Sequence, residues 1–371
     1  MNLSYWEIKT WLSNVDFTVI GSGIVGLSCA LELRRKHPKA KIIVLEKGML
    51  PQGASTKNAG FACFGSLSEI IDDLQYHSEE EVLDLVSKRI KGLKLLRETL
   101  GDKKIDYKPF GGYELFIKKD LELYETCLDR QDDINALLKP IFNTDVFSIK
   151  PNKFGFNHIA DQLSFNKFEG QIDTGKMMDT LIKKAYKSSI KILNNCHVKN
   201  VSDDNGKARI QTDIFEFKSN KALIATNGFA SKLITEKVKP ARAQVLITKP
   251  IKNLQIQGTF HLDKGYYYFR NIDNRILFGG GRNMDFKGEE TMDFGQTDQV
   301  QNKLEELLGS TIIPGVDFEI DHRWAGIMGV GKQKKSIVKQ LSGNVYCGVR
   351  LGGMGVAIGS LVGKDLANLI E

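Results

Sequence analysis

Apolar and polar positions change period several times along the chain, and each change marks an element. Residues 17 to 46, "FTVIGSGIVGLSCALELRRKHPKAKIIVLE", open with an apolar run that meets Gly21, Gly23 and Gly26. They continue with helical spacing and end in a second apolar run at Glu46, which predicts strand, turn, helix, strand. Ahead of this unit, "MNLSYWEIKTWLSN" predicts an amphipathic helix capped by Ser4, with Trp6 and Trp11 partly buried. Behind it come two helical patterns near 79–100 and 120–139 with the strand "GGYELFI" between them, a helix in "TGKMMDTLIKKAYKSS", and a strand in "IKILNNCHVKNV". "KALIATNGFAS" reads as a buried strand ending in a small-residue turn from Thr226 to Ala230. "ARAQVLITKP" and "GYYYFRNIDNRILFGGGR" read as strands. The second is a hairpin around "IDN" that puts Tyr266 and Tyr268 on one face and Tyr267 on the other. In the closing "NVYCGVRLGGMGVAIGSLVGKDLANLI" a strand through Cys347 reaches Gly352 and Gly353, and a small-residue helix begins near Met354.

The first unit carries chemistry in its spacing. Gly21 permits a tight turn, Gly23 lets a pyrophosphate approach the backbone, and Gly26 lets helix and strand pack closely. Ser22, Ile24 and Val25 complete the turn, where the free N–H groups and positive dipole end of the helix attract phosphate. Glu46, twenty residues beyond Gly26 and followed by Lys47, is placed to accept hydrogen bonds from an unphosphorylated ribose. The unit binds a dinucleotide without choosing between NAD and FAD. The second helix start, near Met354, favours flavin: reduced flavin carries negative charge around N1 and the C2 carbonyl, which a helix N-terminus stabilises, whereas nicotinamide makes no such demand.

Composition narrows the class further. With 371 residues, 42% hydrophobic and 26% charged, the chain has enough apolar material for two domains. The longest apolar runs, such as Leu351 to Leu361, are broken by glycine and shorter than the ~20 residues of a membrane helix, and no signal-peptide pattern opens the chain. The five cysteines are far apart and form no CxxC pair, which fits free buried thiols in a cytoplasmic protein and disfavours a disulfide reductase. No histidine has a partner at metal spacing, so no metal site is expected. The net charge of +7 is spread over helix faces, so no nucleic-acid track is expected, and "KQKK" at 332–335 reads as a turn.

The βαβ unit, "GASTKNAGFA", "ATNGFAS", "KPARAQ", "YYYFRNIDNRILFGGGR", "RWAGIMG" and "GVRLGGMG" resemble, in order, the motifs of the D-amino acid oxidase family of flavoproteins. The resemblance implies an α/β, Rossmann-like FAD-binding domain interleaved with an α+β substrate domain built on a mixed sheet. The expected ranges are 1–85, 150–238 and 322–371 for the first and 86–149 and 239–321 for the second. It also implies that the loop carrying Ala54, Ser55, Asn58, Ala59 and Gly60, which has one charged side chain between residues 53 and 66, passes along the pyrophosphate and the flavin ring. Val198, Thr226, Gly228, Arg350, Gly352, Gly353, Met354 and Gly355 are the further FAD contacts it implies. At the two places where relatives attach FAD covalently this chain has Gly326 and Lys57, so non-covalent FAD is expected.

The implied chemistry is hydride transfer from the carbon bearing an amine to flavin N5, followed by hydrolysis of the imine, with O2, a quinone or a protein as electron acceptor. One departure bears on the substrate, a small amine or amino acid. Met328 stands where relatives place a carboxylate-binding arginine, and the turn after it has become Gln333 to Ser336. Arg323, Arg350, Arg282 and Lys57 are the substitutes, Arg350 first, with Tyr268 as a second positioning residue. The alternatives are oxidation of a 2-hydroxy acid on the same fold, or a flavin-binding subunit that needs a partner. A flavin hydroxylase is disfavoured, because Gly348 and Val349 replace its Gly-Asp pair.

Overall fold

Alternation within Ile42–Leu45 shows how the first layer forms. Ile42 and Val44 enter one core while Ile43 and Leu45 enter another, so the strand is buried on both faces, as strands of parallel sheets are. The structure, a computed structural model, describes residues 2–370. In its first sheet β1 (Val15–Ile20) lies between β2 (Ile42–Leu45) and β11 (Glu216–Ile224), with β8 (Lys191–Leu193) beyond β2 and β18 (Val345–Val349) beyond β11, all parallel. β17 (Ile337–Gln340) pairs antiparallel with β18, and β9 (Val198–Asp204) and β10 (Lys207–Thr212) form an antiparallel ribbon on β11.

One face of this sheet is covered by α1 (Ile24–Lys36), α5 (Thr174–Lys187) and α7 (Gly355–Asn368), and α3 (Glu79–Leu100) packs on α7 in the same core. Small residues let α7 sit between two neighbours. A Cβ on Gly363 would lie 2.5 Å from the Val25 carbonyl oxygen, and a Cβ on Gly92 of α3 would lie 2.3 Å from that of Ala357. The start of α3 is fixed by a capping box between Ser78 and Glu81.

The second sheet runs β16 (Ile320–Val330), β12 (Lys239–Thr248), β15 (Arg275–Gly280), β14 (Tyr267–Ile272), β13 (Thr259–Leu262), β4 (Gly112–Leu115), β6 (Gln162–Asn166), β5 (Phe147–Pro151). Only β13 with β4 is parallel. The β14–β15 hairpin turns through Asp273 and Asn274, both left-handed, as the twist of a two-residue hairpin requires. Phe260, Phe269 and Phe278 pack on one face with Val300 and Leu304 of α6 (Asp298–Leu307). Between the sheets, β3 (Phe61–Ala62) pairs with β7 (Gly170–Gln171). α2 (Leu67–Asp73) and α4 (Leu121–Phe142) share a smaller core under Phe64 and Phe116.

Several expectations change. Residues 147–166 and 320–330, assigned from sequence largely to the first domain, pair in the second sheet, while α3, assigned mostly to the second domain, packs in the first core. Ser4 does form a capping box, but the helix is a turn, Tyr5–Glu7, that widens into a π-turn; Trp6 and Trp11 are 68% and 40% exposed and only Leu12 is buried. "IKILNNCHVKNV" is two strands, because Asn195 adopts φ 53° and interrupts the extended backbone between them. All five cysteines are free and buried. No helix among the described residues is long and apolar enough to cross a membrane.

Candidate cofactor and substrate site

A cavity of about 620 Å³ lies between the two sheets, a volume in the range of sites for organic ligands. The starts of α1 and α7 reach it from opposite ends of the chain: Gly21, Gly23, Ile24 and Val25 line it at one, Gly352, Gly353, Met354 and Gly355 at the other. Gly21 has φ 104°, a conformation only glycine adopts at little cost, and a Cβ on Gly26 would meet the Gly21 carbonyl oxygen at 1.8 Å. Gly26 is therefore the packing contact that seats the helix, not a lining residue.

Glu46, at the end of β2, is held rigidly. Its Oε2 accepts hydrogen bonds from the Ser22 N–H (3.1 Å) and Oγ–H (2.7 Å), and its Oε1 accepts from Gly48 N–H (3.0 Å). Ser22 thus orients the acid and does not itself line the cavity, whereas Glu46 and Lys47 do. Val198 and Thr226 line it beside them.

The loop from Gly53 passes over α1. Ser55 Oγ accepts from the Ile24 N–H at 2.9 Å, and Ala54, Ser55, Asn58 and Ala59 all face the cavity. The Asn58 amide is spent on the loop and on the start of α5: its Nδ2 donates to Ser55 O (2.8 Å), and its Oδ1 accepts from Gly60 N–H (2.9 Å) and the Thr174 hydroxyl (2.9 Å). Gly60 is a packing position as well, since a Cβ there would lie 2.3 Å from Ile172 O. The buried Arg270 guanidinium donates to both Gly60 O (3.0 Å) and Ile172 O (2.6 Å). Trp324 Nε1–H holds Lys57 O at 2.9 Å, and Lys57 packs against Gly326.

Gly228 serves packing too, because a Cβ there would lie 2.6 Å from Met328 O. The neighbouring Asn227 was missed from sequence. Its Oδ1 accepts from the N–H groups of Arg350 (3.0 Å) and Leu351 (3.2 Å) and so fixes the left-handed turn at Arg350 (φ 66°) that delivers the chain to α7.

These features test whether a flavin dinucleotide fits. Two helix N-termini, a fixed acid and a loop of small residues face one cavity, and a Cβ on Gly53, Gly352 or Gly355 would meet nothing within 4 Å. The residues match an extended anionic ligand lying against backbone.

The second sheet closes the other side. Tyr266 and Tyr268 line the cavity while Tyr267 enters the phenylalanine core, as alternation predicts. Burial pushes the Tyr268 pKa up to about 12, so it stays a neutral phenol. Of the candidate cations, Arg323 is turned away and bonded to Gln301 (2.6 Å) and Glu305 (2.8 Å). Lys57, Arg282, Met328 and Arg350 line the cavity. Arg282 lies over the Tyr266 and Phe286 rings, and Arg350 Nε donates to Lys335 O at 3.0 Å. Sequence reading also missed Cys63, Arg89, Glu169 and His261. The four come from separate segments with no common spacing, and Cys63, Glu169 and His261 converge within 4.8 Å.

Residues 16–369 match the family model described as DAO, FAD dependent oxidoreductase. The chain is 23% identical to the probable oxidoreductase OrdL of Haemophilus influenzae over 97% of its own length and 84% of the relative's. It is 22% identical to the gamma-glutamylputrescine oxidoreductase of Escherichia coli, covering 96% and 83%. The fold is similar to the crystal structure of glycine oxidase from Geobacillus kaustophilus, with TM-score 0.75, 16% identity and coverage of 96% and 95%.

Proposed function

The chain belongs to the DAO family of FAD-dependent oxidoreductases, and from that premise we propose that it oxidises the C–N bond of a small amine or amino acid. The observation that carries this reading is that one cavity joins the starts of α1 and α7 to the tyrosine face of the second sheet. The glycine oxidase and gamma-glutamylputrescine oxidoreductase likenesses support an amine rather than another donor. FAD, when bound, supplies the acceptor for the two electrons.

This chain's residues supply binding and orientation. With FAD bound, Gly21, Gly23, Ile24, Val25 and Ser55 would cradle the pyrophosphate, Glu46 would take the ribose, and Gly352 to Gly355 would present the start of α7 to the ring. Gly326 and Lys57 at the two attachment positions support non-covalent binding: acid precipitation is expected to leave a pale pellet and a yellow supernatant. Tyr268 offers an aromatic face and a neutral hydroxyl to the amine. Arg350, beside the α7 start, is the second positioning residue, and Arg350→Ala is expected to raise KM for substrate several-fold with smaller change in kcat; an unchanged KM removes it from that role.

Anaerobic mixing of the yellow protein with a panel of primary and secondary amines, amino acids and 2-hydroxy acids tests the reaction class. Bleaching by amines is the expected result. Bleaching by hydroxy acids alone would replace the amine with an alcohol, and bleaching by nothing until a partner protein is added would make the chain a subunit.

A further inference from the structure

At its inner end the cavity is lined by two buried basic side chains drawn from different elements. Arg89, on α3, is 5% exposed. One Nη donates to Phe64 O at 2.6 Å, and Nε has no partner among the described residues. The nearby acids are otherwise engaged: Asp72 pairs with Lys264 at 2.8 Å, Asp73 pairs with Lys334, and Glu69 Oε2 accepts the Ser66 N–H at 3.0 Å in the cap of α2. His261, on β13, is also 5% exposed, lines the same end, and has its Nε2 3.4 Å from Glu169 Oε2. The other Glu169 oxygen accepts the Phe64 N–H at 3.3 Å, so Glu169 and Arg89 grip the two sides of the chain at Phe64 and fix the cluster.

A buried guanidinium is costly unless an anion completes it. Glu69, Asp73 and Glu169 favour the charged guanidinium from nearby, yet among the described residues none of them hydrogen-bonds it, so its fork is left incomplete. A metal ion is the wrong complement: burial, reinforced by Glu169 and Glu69, pushes the Cys63 thiol well up and keeps it neutral, and Arg89 adds positive charge. A planar, bidentate acceptor suits a guanidinium, and this end adjoins the Tyr266 and Tyr268 face.

We infer that Arg89 and His261 form a carboxylate subsite for the substrate, with Glu169 the positioning residue that keeps the imidazole protonated and oriented. The inference rests on the amine reading of the cavity and narrows it to amines that also bear a carboxylate. Arg89 then supplies from α3 the guanidinium that relatives place where this chain has Met328.

The charge on His261 gives the subsite a pH signature. Burial alone lowers its pKa, but the Glu169 carboxylate 3.4 Å away outweighs burial and raises it to about 9, with Glu69 and Glu114 adding to the rise. Cys63 and Tyr268, also against the ring, stay neutral. The imidazolium therefore persists through neutral pH and is lost as pH rises through about 9.

Propionate, which has no amine to oxidise, is the probe, titrated into FAD-loaded protein and followed by the visible flavin spectrum, with propionamide as the uncharged control. Propionate affinity is expected to fall as pH rises through about 9 in the unsubstituted protein. At pH near 7.5 it is expected to be about tenfold weaker in His261→Gln and in Arg89→Lys, the scale of one hydrogen bond to a charged group. In Glu169→Gln the fall is expected below about pH 6.5, where an unassisted histidine titrates. Normal propionate affinity in both His261→Gln and Arg89→Lys, each retaining FAD, overturns the subsite, as does an unmoved pH midpoint in Glu169→Gln or a loss seen in Arg350→Ala alone. Amine bleaching without these effects fails the subsite and leaves the reaction standing. Absence of amine bleaching fails the reaction whatever propionate does.

Discussion

Gly26→Ala is expected to yield protein that is colourless after purification and takes up added FAD at least about tenfold more weakly. The added Cβ would sit 1.8 Å from the Gly21 carbonyl oxygen, far inside van der Waals contact, and that oxygen belongs to the turn whose φ of 104° aims the backbone at the cavity. Neither side can yield cheaply. Moving α1 breaks the Ile24 N–H to Ser55 bond, and moving the turn tears Ser22 from Glu46. Overpacking of a rigid contact costs roughly 1–3 kcal/mol, and 1.4 kcal/mol is tenfold in an equilibrium constant. The checks are the ratio of flavin to protein absorbance and a fluorescence titration with FAD. Full occupancy at unchanged affinity would mean that α1 is not seated as described.

The second large effect is expected along α7, and it separates glycines kept for packing from glycines kept for the ligand. In Gly363→Ala the new Cβ would meet Val25 O at 2.5 Å, Ser28 Cβ at 2.7 Å and Cys29 N at 2.9 Å, all on α1. The two helices are forced apart, so the melting temperature should fall with or without FAD, by about 1–4 °C for an overpacking cost of roughly 1–3 kcal/mol, since an unfolding entropy of about 2.1 cal/mol/K per residue makes 1 kcal/mol worth a little over ~1 °C in a chain of 371 residues. Gly355→Ala makes no such contact, and alanine favours a helical position over glycine, so the flavin-free melting temperature is expected to hold or rise slightly. Its FAD affinity is nevertheless expected to fall, because the methyl group points into the cavity. Thermal melts of both variants with and without FAD check the pair. Equal behaviour of the two would show that the start of α7 does not face the cofactor.

How far the sequence revealed these features depended on distance along the chain. The α1 turn was legible because Gly21, Gly23, Gly26 and Glu46 lie within thirty residues, where each spacing has one geometric meaning. The tyrosine face was legible for the same reason: β14 is a single strand and period two decides its sides. Sheet membership was not, because the apolar pattern of Ile320–Val330 says that it is a strand but not that its neighbour is β12. The inner end of the cavity was the least legible part. Arg89 reads as an ordinary helix cation and Glu169 as a loop acid until the fold brings them to the peptide of Phe64. Trp6 failed differently: helical spacing predicted an apolar face, yet the Tyr5–Leu12 segment leaves Trp6 68% exposed and covers Trp11 only in part.

The order of strands in the first sheet also bears on how the protein is made. β1 finds β11 some two hundred residues later, and β11 finds β18 more than a hundred residues after that. A nascent chain on the ribosome therefore holds the phosphate turn long before α7 emerges, and cofactor capture must wait for the last stretch of synthesis. Ribosome-stalled chains ending before Val345 should not retain flavin, and released full-length chains should.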